Sequence, residues 1–142
     1  MKVAIGCDHA GFELKDYVIE KLKEEGLVFT DHGTFGPESV DYPDFGHLVC
    51  RDVEEAAVDF GILICGSANG MAMTANKHTA IRCGLCWLPE IASLTKQHNN
   101  ANVIALPARY ISKEMGLEIV KAYMAAEYEG GRHQRRVDKI AC

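Results

Sequence analysis

Five short apolar runs alternate with five segments of helical periodicity along this 142-residue chain. The runs are "KVAIG" (2–6), "LVFTDHG" (27–33), "DFGILIC" (59–65), "AIRCGLC" (80–86) and "NVIAL" (102–106). Phe12, Leu14, Val18, Ile19 and Leu22 recur at helical spacing over 12–23, and Gly26 stops that helix. "VDYPDFGHLVCRDVEEAA" sets Pro43 near a helix start, with Phe45, Leu48, Val49 and Val53 on one face. A further helix runs from about Gly70 to Lys77. "PEIASLTKQHN" carries Pro89 in its first turn, and "SKEMGLEIVKAYMAAEY" takes Ser112 as N-cap. Strict alternation with short connections predicts an α/β domain spanning 1–142. It has a five-stranded parallel sheet, right-handed crossovers and helices on both faces. The third run, apolar throughout, reads as a central strand. No repeat, linker or low-complexity segment interrupts the order.

Ligands of such sheets bind at the carboxyl ends of the strands. Asp8 and His9 follow the first run, Cys65 to Gly70 follow the third, and Asn99 and Arg109 flank the last two. "LICGSANGMAM" (63–73) is the most informative of these stretches: a buried strand ends in a thiol, and a small-residue turn opens a helix. Backbone N–H groups at such a helix start form an anion cradle. The turn lacks G-x-G-x-x-G and the P-loop lysine, which excludes a dinucleotide or nucleoside triphosphate. A phosphatase nucleophile needs Arg six positions after the Cys, and position 71 is Met.

A thiol at a helix N-terminus is expected to favour the thiolate. Lowering its pKa from about 8.5 to about 7 takes roughly 2 kcal/mol, and a partly buried helix terminus supplies up to about that much. A thiolate beside N–H donors suits proton abstraction next to a carbonyl, with the donors holding the enediolate. His98, in "KQHNNAN", is expected to face the same edge and to move protons on and off sugar oxygens. His32, His47 and His78 read as surface or packing residues.

The net charge of −5 excludes a general nucleic-acid surface. One cation cluster, Arg132, Arg135, Arg136 and Lys139 in "GGRHQRRVDK", forms a basic tail open to an anionic ligand. No secretory signal and no 18-residue apolar span is present, so a cytoplasmic protein with no membrane contact is expected. The six cysteines then read as reduced thiols. The Cys83-x-x-Cys86 pair lies in a strand, where buried small hydrophobes are expected rather than a redox or metal pair.

"GCDHAGFELK", "DYPDF", "CGSANGMAMTANKHTAIRC", "HNNANVIAL" and "EGGRHQRRVDKI" resemble the ribose-5-phosphate isomerase B group, which includes galactose-6-phosphate isomerase subunits. The resemblance runs from residue 2 to about 140 in unbroken order. It implies a Rossmann-like three-layer αβα domain that forms a homodimer with shared active sites, pairing into tetramers being left open. It also implies metal-free, cofactor-free interconversion of ribose 5-phosphate and ribulose 5-phosphate in the pentose phosphate pathway. Cys65 is then the proton-shuttling base and His98 assists ring opening. Gly66, Ser67, Ala68, Asn69 and Gly70 supply oxyanion N–H groups, and Asp8 and Asn99 bind sugar hydroxyls. His9, Arg109, Arg132 and Arg136 hold the phosphate, some across the interface. A six-carbon sugar 6-phosphate, or a non-catalytic sugar-phosphate sensor, is the alternative.

Four positions depart from patterns seen in the group. Ser67 and Ala68 replace its usual Thr and middle Gly, and Ala68 is strained if that position takes positive φ. Met71 stands where another branch has a Glu base, leaving the role to Cys65. Pro107 replaces a Gly and is expected to shift Arg109.

Overall fold

The computed structural model describes residues 1–141. The chain runs β1 (Lys2–Cys7), α1 (Phe12–Glu24), β2 (Val28–Asp31), α2 (Tyr42–Glu54), β3 (Phe60–Cys65) and α3 (Asn69–Ala75). It continues through β4 (Cys83–Leu85), α4 (Pro89–Asn99), β5 (Val103–Pro107), α5 (Lys113–Ala125) and α6 (Arg132–Val137). All strands are parallel, in the order β2-β1-β3-β5-β4. β3 is buried at every residue, as its unbroken apolar run predicted. One face of the sheet packs Val3, Ile5, Ile62, Ile64 and Ile104 against residues of α1, α4 and α5. The other packs Ala4, Leu63 and Val103 against α2 and α3. The three-layer α/β expectation therefore holds.

Local chemistry explains the element ends. Ser112 Oγ accepts from Met115 N at 3.0 Å and caps α5. Gly26, at φ +89°, turns the chain out of α1. β4 is shorter than its seven-residue run: only Cys83–Leu85 pair with β5, because β4 is an edge strand with one neighbour. The basic tail is not all tail, since Arg132–Val137 close a helical turn against α4. Leu48 does not share the buried face of α2; it is exposed while Val49 and Cys50 are fully buried.

After β1 the chain crosses to β2 on one side, and after β3 it crosses to β5 and β4 on the other. The carboxyl ends of β1 and β3 are thus a switch point, where diverging connections leave a crevice. Asp8 and the Cys65 turn sit there. In that turn Ala68 adopts φ 65°, ψ −12° while fully buried, the conformation anticipated for the position that departs from Gly. A left-handed Ala costs about 1–2 kcal/mol, which the packing of α3 must offset.

One fully buried lysine escaped the sequence reading. Lys15 Nζ pairs with Asp31 at 2.6 Å and Asp16 at 3.0 Å, and lies 4.8 Å from the Phe35 ring centroid. Burial alone would lower this ammonium's pKa, but the two carboxylates outweigh it and hold it above the ordinary lysine value. Asp31 also accepts from Gly33 N at 2.9 Å, so the pair orders the chain that leaves β2 beside Cys7. Lys15→Ala leaves Asp31 without its buried partner, and urea denaturation is expected to show a loss of about 3 kcal/mol. A loss under about 1 kcal/mol would place the pair among weak surface ion pairs.

Candidate active site

β3 delivers Cys65 to the carboxyl edge of the sheet, level with Pro107 of β5. The backbone N–H groups of Met71, Ala68 and Ser67 lie near the sulfur and favour its thiolate. Gly66 and Gly70 are needed for close approach. A Cβ on Gly66 would lie 3.1 Å from Arg109 Nη1, and one on Gly70 would lie 2.5 Å from the Tyr42 ring. The result is a cleft of ≈ 280 Å³ lined by Asp8, Cys65, Ser67 and Arg109, with Tyr42 and Tyr110 as walls. Cys65 is 4% exposed but opens onto this cleft.

The expected thiolate is not favoured in the free chain. Burial pushes the Cys65 thiol above its ordinary value, and the Asp8 carboxylate adds to the rise. The N–H groups of Met71, Ala68 and Ser67 oppose it without prevailing. Two of the N–H groups expected to hold an oxyanion, those of Ser67 and Ala68, therefore face the sulfur itself. The Met71 N–H joins them, and only its place in the first turn of a short helix could have signalled this. Asn69 N donates to Ser67 Oγ at 3.4 Å, and Asp8 Oδ1 accepts from Ala10 N at 2.9 Å. His9 is half-buried, and its Nδ1 accepts from Val40 N at 3.4 Å.

Cys65 is distinct among the chain's sulfurs. Cys7, Cys50 and Cys86 are pushed up to about 12 by burial above all, and none of them lines this cleft. Cys83 is raised further for the same reason. Cys142 lies outside the described residues.

His98, Asn99, Arg132 and Arg136 do not join this cleft. Each helix returns against the strands, so α4 ends where β5 begins. There Arg82 Nη2 donates to Asn100 O at 2.8 Å, and Glu129 N donates to Gln97 O at 3.0 Å. α6, with Arg132 and Arg136, packs on that end of α4. The expectation that His98 and Asn99 face the Cys65 edge is therefore wrong within one chain. They lie at the amino edge, which the four-residue step from Val103 to Pro107 separates by about 13 Å of strand.

At that edge His98 and His133 stack at 4.3 Å, with rings 10° from parallel, and His133 Nε2 lies 3.2 Å from Glu129 Oε2. These three residues offer ligand atoms within 4.8 Å of one another, enough in number for a metal ion. Parallel rings, however, aim their nitrogen lone pairs side by side rather than at one point. Three arginines on the same helix add positive charge. The arrangement suits an anion better.

The other histidines do have partners. His47 Nδ1 lies 2.8 Å from His78 Nε2, His78 Nδ1 lies 3.0 Å from Glu54, and His32 Nε2 lies 2.7 Å from Asp52. They tie α2 to the turn that follows α3 and to the residue that follows β2, away from the cleft lining. Tyr42 and Tyr110 were missed as cleft residues. Tyr42 directly precedes Pro43 and Tyr110 directly follows Arg109, and that adjacency was the only available signal.

Comparison with known proteins agrees with this geometry. The family model for ribose/galactose isomerases matches residues 3–140. Ribose-5-phosphate isomerase B of Escherichia coli is 45% identical, over 98% of this chain and 93% of that protein. The crystal structure of a ribose 5-phosphate isomerase from Thermotoga maritima superposes with a TM-score of 0.96 at 45% identity, covering 98% of this chain and 96% of the other. Ribose-5-phosphate isomerase B from Mycoplasma genitalium, solved with bound ribulose-5-phosphate, gives 0.93 at 40% identity, over 98% and 93% of the two chains. With sequence and fold shared across nearly its full length, the chain belongs to the ribose/galactose isomerase family.

Proposed function

We propose that this chain interconverts ribose 5-phosphate and ribulose 5-phosphate in a cytoplasmic homodimer whose active sites each draw on both copies. The observation that carries the proposal is the Cys65 sulfur at the mouth of a polar cleft, bounded by three main-chain donors. The second observation is the division of the remaining site residues between the two edges of the sheet.

The reaction moves one proton between neighbouring carbons. The His98 ring N–H of the second copy gives a proton to the ring oxygen as the ring C–O bond breaks, the O1 hydroxyl releases its own proton to water, and the sugar opens to the free aldehyde. The Cys65 thiolate removes the C2 proton. The electron pair left behind forms the C1–C2 double bond of an enediolate, with its negative charge on O1. N–H groups of the Gly66–Gly70 turn stabilise that oxygen, the thiol returns its proton to C1, and the O2 hydroxyl proton passes to O1 to leave the ketone at C2. Asp8, with Asn99 of the second copy, binds sugar hydroxyls. His9 and Arg109, with Arg132 and Arg136 of the second copy, hold the phosphate by charge-assisted bonds. Charge on the enediolate is met by dipoles and guanidinium groups, so the steps require no metal or cofactor. General acid–base steps contribute about 10²–10⁴ each.

The thiol must lose its proton to act, and burial and the Asp8 carboxylate both make it hold that proton. The kcat/KM for ribose 5-phosphate is therefore expected to rise with pH through the neutral range. Asp8→Asn removes an anion beside the sulfur, so its rising limb is expected at lower pH than in the wild type; an unmoved limb would assign the titration to another group.

Sharing of the site has its own test. Cys65→Ala and His98→Ala are each expected to lose about 100-fold or more in kcat. After subunit exchange in buffer with EDTA, half of the dimers are mixed, and each mixed dimer regains one intact site. Activity should then recover to about a quarter of wild type. No recovery from a verified mixture would refute a shared site.

A further inference from the structure

Arg82 stands in the link before β4, half-buried, and is not among the residues lining the Cys65 cleft. Its guanidinium reaches the C-terminal end of α4. Nε donates to Asn99 O and to Asn100 O, both at 3.1 Å, and Nη2 donates to Asn100 O at 2.8 Å. We propose that Arg82 is a positioning residue for ring opening: bonded to those two carbonyls, it holds the last turn of α4 so that His98 presents its ring N–H to the sugar. This inference rests on the proposed role of His98 and names what holds that residue in place.

A helix leaves its last carbonyls without partners inside the helix, and whatever satisfies them fixes the final turn. In α4, Asn100 closes the helix in the left-handed region, at φ 46°, ψ 43°, and its N–H donates to Lys96 O at 3.1 Å. Ala101 N donates to Thr95 O at 3.1 Å, and Gln97 O accepts from Glu129 N at 3.0 Å. The Asn99 and Asn100 carbonyls lie beyond that backbone pairing, and Arg82 takes both. A guanidinium suits this task. Its donors are rigidly coplanar, so one group serves two neighbouring carbonyls, and its charge meets the negative end of the helix. Arg82 is itself anchored. Its backbone N–H donates to Asn102 Oδ1 at 2.8 Å, its carbonyl accepts from Asn102 N at 3.1 Å, and Asn102 Nδ2 donates to Ala80 O at 2.9 Å. The clamp therefore ties the last turn of α4 to the starts of β4 and β5.

His98 is consequently held from two sides. His133 stacks on its ring at 4.3 Å and sets the ring plane, while Arg82 sets the backbone that carries it. The Arg82 charge works against a neighbour. The Lys96 ammonium, in the same last turn, is held below the ordinary lysine value by burial first and by Arg82 second. A neutral donor would avoid that repulsion but would make weaker bonds than the charge-assisted ones to the carbonyls beside His98. Placement at this point matters to the rate: a displacement of about 1 Å in a catalytic group costs up to about 100-fold.

Ribulose 5-phosphate separates ring opening from proton transfer. The C5 oxygen, which alone could close a five-membered ring onto the C2 ketone, carries the phosphate, so this sugar stays open-chain. Exchange of its C1 proton with D2O needs the Cys65 turn but no ring opening. In Arg82→Met, kcat for ribose 5-phosphate is expected to fall about tenfold or more, while C1 exchange at saturating ribulose 5-phosphate, followed by proton NMR, stays within about twofold of wild type. His98→Ala should show the same split. Arg82→Lys, charged but without the planar fork, should fall between, and added methylguanidinium should restore part of the ribose 5-phosphate turnover of Arg82→Ala. Equal loss of both reactions in Arg82→Met and Arg82→Lys, or an unchanged kcat in both, would overturn the positioning role while leaving His98 its own. A His98→Ala variant that does not separate the two reactions would remove ring opening from His98, and the role of Arg82 with it.

Discussion

In a parallel sheet every strand ends at one edge, and every crossover helix must carry the chain back to the other. That constraint decides where this chain can place its chemistry. Residues that follow strands, Asp8 and Cys65 to Gly70 among them, gather at the carboxyl edge. Residues that close helices, His98 and Asn99, gather at the amino edge, and α6 brings Arg132 and Arg136 to join them. Sheet pairing makes this division rigid, since Val103 and Pro107 are held in register with Gly61 and Cys65. The proposed function joins the two groups through a second copy arranged about a two-fold axis.

The Cys65 environment is a balance of opposing effects. Desolvation disfavours the thiolate, and each pKa unit of rise costs about 1.4 kcal/mol to reverse. Three N–H donors and the start of α3 work in the other direction. In the free chain burial prevails and the sulfur holds its proton. The proposed partner arginines bring positive charge to the cleft, and positive charge favours the anion. The left-handed Ala68 belongs to the same balance. It lies in the turn whose Ser67 and Ala68 N–H groups favour the thiolate.

Much of this was legible in the sequence, because the signals were periodic or local. Strict alternation of apolar runs predicted the parallel α/β sheet. Ser112 and Gly26 marked helix ends where caps were found. The position of Ala68 where related loops have Gly announced its backbone angle. What escaped was nonlocal. The Lys15–Asp31 pair joins two elements 16 residues apart, and a lone lysine among apolar helix positions reads as a surface residue. The position of His98 was misjudged because spacing alone does not say which edge a helix terminus reaches. The Cys65 thiol was misjudged for a related reason: helix-terminus electrostatics can be read from a motif, but burial depends on the whole fold.

The central claim, that the Cys65 sulfur is the group that moves the proton, is tested most directly by alkylation followed by peptide mass mapping. Iodoacetamide is expected to modify Cys65 faster as pH rises, with isomerase activity lost in step with modification at that residue and with ribose 5-phosphate protecting both. Full activity in protein alkylated at Cys65 would contradict the account.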